Sequence, residues 1–109
     1  MLNGVIGKGV TQANTDLNIA MTDSNPGYPI IVNVLLTNTV SSPGTYTFSI
    51  MDNSESSPSS EDNIYINSII DPNATINLGN FVLSPNEIIS INSNIAGIAV
   101  RVTGVQQPS

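Results

Sequence analysis

The sequence predicts an all-β protein, a two-sheet antiparallel β-sandwich of about eight strands with jelly-roll or immunoglobulin-like connections, and three observations carry that expectation. Fifteen isoleucines and nine valines dominate the apolar residues; their branched Cβ restricts χ1 and suits a pleated strand better than a helix. The helix formers Glu, Lys, Arg and Gln are scarce. Apolar residues recur with period two between Gly, Pro, Asn, Asp and Ser turn signals, at the spacing of a sandwich or barrel. Hydrophobic residues make up 39% and charged residues 9%, which argues against disorder, because disordered chains are charge-rich and poor in β-branched residues. A single domain, 1–109, is expected, with 1–10 as an arm or edge strand and 106–109 as a frayed tail.

The start, "GVIGKG" from Gly4 to Gly9, reads as a bulged edge strand. A phosphate loop would need four residues between a Gly and a following Gly-Lys and then Ser or Thr, whereas Gly9 follows Lys8. Next, Leu17, Ile19 and Met21 alternate with Asn18, Ala20 and Thr22, and "NPG" from Asn25 to Gly27 signals a turn. In "YPIIVNVLLTNT" one face carries Ile30, Val32, Val34 and Leu36, but Ile31 and Leu35 make the other face apolar too. A strand apolar on both sides is either central in a layered fold or in contact with another subunit.

"SSPG" turns the chain into "TYTFSIM", where Tyr46, Phe48 and Ile50 alternate with Thr45, Thr47 and Ser49, and these aromatics are expected to anchor the core. The stretch 52–62, "DNSESSPSSED", is a polar surface loop. "NIYINSII" and "ATINLGNFVL" supply two further runs joined by "DPN", and "SPNE" leads into Ile89 and Ile91. Finally Ile98, Val100 and Val102 alternate with Ala99, Arg101 and Thr103, so Arg101 points away from the core. With Asn94 to Gly97 as a short turn, the last two runs read as a hairpin. Core positions are expected to include Ile19, Val34, Phe48, Ile76, Ile91 and Val100. With no helix to cover a face, the strands must bury their apolar sides against each other as two packed sheets.

Lys8 and Arg101 face eight carboxylates, a formal net charge of −6. That deficit of cations speaks against nucleic acid and against anionic membranes as partners. With no His and no Cys, His-dependent serine triads, thiolate nucleophiles and the common zinc sites are excluded. Glu55, Glu61 and Asp62 lie close in sequence, as glycosidase acids or calcium ligands could, but no aromatic sugar platform adjoins them and the ligand spacing and central glycine of an EF-hand are missing. They read as a solvated loop. "NAT" at Asn73 to Thr75 fits a glycosylation acceptor, but among fifteen asparagines it carries no weight. No residue is therefore assigned to catalysis, to a cofactor or to a metal. Arg101 has two readings: a lone cation on a solvated face or opposite an acid of its own chain, and a contact to an acid of a neighbouring subunit.

The strand ending in "TNT", the "VLSPNEIISI" step and the closing "VRVTG" resemble small β-sandwich virion proteins of tailed bacteriophages, both capsid decoration or cement proteins and tail-associated proteins. The resemblance spans about Thr15 to Val105 and includes no catalytic motif, so no site is carried over. It implies a non-enzymatic capsid decoration protein on the outer head surface, assembled in the host cytoplasm into the virion. Its expected partners are itself, as a homotrimer, and a major capsid or other virion protein, with Ile31, Leu35 and Arg101 as the candidate interface residues. A tail, baseplate or fibre-associated sandwich is the first alternative, and a carbohydrate-binding module is the alternative of another class.

Overall fold

The computed structural model of the protein describes residues 3–19, 29–52, 54–84 and 86–106. Met21, the Asn25–Gly27 turn, Tyr28 and the last three residues of the expected tail lie outside the described residues. The elements are β1 (Asn3–Val10), β2 (Leu17–Ile19), β3 (Ile30–Asn38), β4 (Gly44–Asp52), β5 (Asn63–Ile70), β6 (Thr75–Leu83), β7 (Glu87–Ser93) and β8 (Ile98–Gln106), with one 3-10 turn at Ser60–Asp62. Among the described residues they form two antiparallel sheets of four strands each, the first in the order β1-β8-β3-β6 and the second in the order β2-β7-β4-β5. The expected two-sheet sandwich is thus the observed architecture.

The pairing has a simple rule. β1 pairs with β8, β2 with β7, β3 with β6 and β4 with β5, so the chain is one long antiparallel hairpin whose successive strand pairs alternate between the sheets. Lateral pairing of β3 with β8 and of β4 with β7 completes each sheet. This is jelly-roll connectivity, and it decides between the two topologies left open by the sequence. Among the described elements, β4 to β5 is the one connection that stays within a sheet, and it carries the polar loop.

One expectation is corrected here. The runs on either side of Asn94–Gly97 are not a hairpin, because β7 lies in the second sheet and β8 in the first. The turn crosses between sheets, and other elements satisfy its backbone: Asn94 donates to the Thr45 carbonyl at 3.3 Å and Gly97 to the Thr11 carbonyl at 3.1 Å. Gly97 has φ +97°, a conformation glycine adopts without steric cost, and a Cβ there would press on Val40. Thr11, fully buried, donates its hydroxyl to the Ile95 carbonyl at 3.0 Å and accepts from the Ile98 amide at 3.1 Å.

The core lies between the sheets. From the first come Ile30, Val32, Val34 and Leu36 of β3 with Ile98, Val100 and Val102 of β8; from the second come Tyr46 and Phe48 of β4 with Ile89 and Ile91 of β7. Of the expected core positions, all are buried except Ile76, which is half-buried and packs against the core margin. Phe48 sits at the centre, its ring centroid 5.2 Å from Phe81 and 6.3 Å from Tyr65. Each fully buried Val, Leu, Ile or Phe contributes about 1.5–3 kcal/mol relative to exposure.

Asn38 ends β3 as a buried polar anchor. Its amide donates to the Ser42 carbonyl at 2.8 Å and its carbonyl oxygen accepts from the Val40 amide at 3.1 Å, fixing the chain where it leaves one sheet for the other. The glycine-rich start forms an edge strand with a bulge between Val5 and Gly7. A Cβ at Gly7 would collide with Ile19, so the bare backbone lets β1 close over β2.

Candidate functional site

The outward face of the first sheet brings together all three candidate interface residues. β3 alternates Ile31, Asn33, Leu35 and Thr37 outward against its buried set. Leu35 is the register partner of Arg101, and Ile31 is the register partner of both Val105 and Val82. At that end of the sheet Ile31, Val82 and Val105 are 50%, 63% and 42% exposed, an apolar group with no described element layered above it. β3 lies between β8 and β6 within its sheet, but its outward face is not covered by any described element of the single chain, so the reading of a strand buried on both sides at the centre of a layered fold does not hold.

Arg101 is exposed on β8 as expected, but its cross-strand neighbours are Leu35 and Lys8. The reading in which it opposes an acid of its own chain is overturned: the residue opposite it on β1 is the only other basic residue of the protein. The cause is register. The bulge between Val5 and Gly7 shifts β1 so that Lys8 falls across from Arg101. Like charges directly opposite each other repel, and the described acids lie in loops, turns and strand ends of the second sheet. The two cations edge an open cavity of about 540 Å³ whose floor and walls are Leu35, Val10, Thr37 and Ala99. Between this cationic groove and the apolar end lies a polar ladder, in which the Asn33 amide donates to Asn80 Oδ1 at 2.8 Å and to Asn77 Oδ1 at 3.0 Å.

The acids sit elsewhere. Asp52 and Glu87 are register partners at the end of β4 and β7, and the loop that follows carries Glu55, Glu61 and Asp62. These carboxylates do more than solvate the loop. Asp52 Oδ1 accepts from the Ser54 amide at 2.9 Å, which holds its carboxyl below the ordinary range. Asp62 Oδ2 accepts from the Ser59 amide at 2.9 Å, with the same effect. Glu55 is held above the ordinary range by the neighbouring Asp62 carboxyl and by desolvation. Among the described residues no three such groups converge as a metal-binding cluster.

The loop folds over the outer face of the second sheet. Ser57 and Pro58 roof a polar groove of about 330 Å³ whose lining includes Asp16, Thr47, Ser49, Ser90 and Asn92. Asn92 donates to Asp16 at 2.8 Å and Ser49 donates to Asn63 at 2.8 Å, while the buried Ser90 hydroxyl has no partner among the described residues. The loop runs directly into β5, an edge strand on which Ile64, Ile66 and Ile69 are 47%, 62% and 70% exposed. This second apolar surface escaped sequence reasoning. A run such as "NIYINSII" could belong to either face, and two register shifts against β4 break its period.

The described aromatics serve the core. Tyr46 and Phe48 are buried, Phe81 is half-buried, and the hydroxyl of the partly exposed Tyr65 donates to the Leu78 carbonyl at 3.2 Å. No protein-family model matches the chain, and no match is found among curated proteins or among solved structures.

Proposed function

We propose that this protein is a non-enzymatic structural subunit of a tailed-bacteriophage virion, a decoration protein of the outer head surface that acts as a homotrimer against a major capsid or other virion protein. One observation carries the reading. The outward face of the first sheet combines the apolar residues Ile31, Leu35, Val82 and Val105 with the two cations of an otherwise acidic chain, and such a face is suited to being covered by protein. Support comes also from the jelly-roll connectivity, which viral capsid domains share with other proteins, and from the "TNT", "VLSPNEIISI" and "VRVTG" motifs. Shared architecture by itself names no function.

Gold-labelled antibody against the chain, viewed by electron microscopy on the particle that contains it, tests location. Label on the head is expected; label on tail, baseplate or fibre supports the tail-associated reading instead, and unlabelled particles overturn both. Sedimentation of the Ile31→Ser, Leu35→Ser double variant tests the face, and dissociation relative to wild type is the expected result. A carbohydrate-binding module is the second reading, favoured by the polar groove under the loop. Binding on a glycan array that Ser49→Val abolishes would establish it in place of the first.

A further inference from the structure

We propose that the occupant of the first-sheet face is the loop 52–62 together with β5 of a second copy of this chain, joined head to tail. This inference rests on the reading of that face as an interface and adds what covers it. The two surfaces are unlike and complementary. One offers Lys8 and Arg101 around the groove floored by Leu35 and Val10, with no described acid on that face. The other offers Asp52, Glu55, Glu61 and Asp62 leading into the exposed Ile64 and Ile66, with no described cation beside them.

Within one chain these surfaces belong to different sheets, and the loop is folded against the outer face of the second sheet, away from the groove on the outer face of the first. They can meet only between copies. Pairing the first-sheet face with itself about a two-fold axis would bring the cations of both copies to one interface, with no described acid to offset them. Docking the acidic loop there instead offsets the Lys8–Arg101 repulsion and covers apolar surface on both partners. A contact between unlike patches is heterologous, so it closes into a ring or continues as an open stack. A homotrimer is one such ring.

The test uses the full chain in three forms: wild type, a face variant (Lys8→Glu, Arg101→Glu) and a loop variant (Glu55→Lys, Glu61→Lys), each checked by circular dichroism for an unchanged β spectrum. Wild type is expected to self-associate in sedimentation at micromolar concentration, at least tenfold more weakly in 1 M salt than in 0.1 M, because screening shortens the reach of exposed charges. Each variant alone is expected to sediment as a monomer. An equimolar mixture is expected to associate again, a pair forming where the loop kept by one variant meets the face kept by the other, and the two reversed patches, an acidic face against a basic loop, extending it. A variant that failed to fold could not form that pair. A loop variant that self-associates like wild type, while the Ile31→Ser, Leu35→Ser variant dissociates, overturns the head-to-tail contact and leaves the face as an interface with some other occupant. A wild type that stays monomeric at these concentrations, or a mixture that stays monomeric, also overturns it.

Discussion

Lys8 of β1 stands directly across from Arg101 of β8 in the antiparallel register of the first sheet. These are the only basic residues of a chain with eight acids, and folding places them together on the face that carries no described acid. A sheet arranged for the stability of the single chain alone would more readily set a cation against a carboxylate. In the isolated chain, Lys8→Thr is expected to leave stability unchanged or raise it by about 0.2–1 kcal/mol. Denaturant midpoints of dilute samples, below the association range, provide the check, and a clear loss would show that Lys8 has a favourable partner within the chain.

Phe48 is fully buried and touches aromatic rings on β5 and β6. Phe48→Ala is expected to cost about 3–5 kcal/mol, since the cavity lies between two sheets that cannot collapse onto it. An unchanged urea midpoint would contradict the placement of this residue.

Buried polar groups offer a paired comparison. Asn38→Ala strips partners from the Val40 amide and the Ser42 carbonyl and is expected to cost about 2 kcal/mol or more. Ser90→Ala removes a hydroxyl with no partner among the described residues and is expected to change stability by less than about 0.5 kcal/mol. Thermal or chemical denaturation of the two variants side by side reads the difference, and equal losses would contradict it.

Stability should depend on pH through the loop. Asp52 and Asp62 are held below the ordinary carboxylate range by amide donors, so they bind protons less readily folded than unfolded. Their contribution is present above that range and is lost as pH falls through their folded values, below about pH 4. Glu55 is held above the range by Asp62, so it acts in the opposite sense and opposes folding once it ionises. Glu55→Gln is therefore expected to raise the melting midpoint at pH 7 and not at pH 3. A midpoint that the substitution lowers at pH 7 would show that the Glu55–Asp62 contact is favourable when both are charged.

The loop acids are also expected to support no hydrolysis. Replacing Glu55, Glu61 and Asp62 together by Ala should preserve the β spectrum, with no turnover of a glycan to lose. Turnover by the wild type that vanishes in this variant would make the protein an enzyme.

Residue by residue, the sequence by itself determined which way side chains face. Period two placed Val34, Phe48, Ile91 and Val100 inward and Arg101 outward, because alternation is a local property of an extended backbone. It also showed both sides of β3 to be apolar and ruled out histidine and cysteine chemistry. Only the tertiary structure decided which strand pairs with which. The same alternation describes β7 and β8 whether they form a hairpin or lie in separate sheets, and it says nothing of the bulge that brings Lys8 opposite Arg101. Pairing is fixed by contacts between residues far apart in the chain, where burying both inner faces at once selects the rolled topology. For the same reason the exposed isoleucines of β5 came to light only in the fold: a strand whose register slips twice against its neighbour no longer shows in its sequence which side it buries.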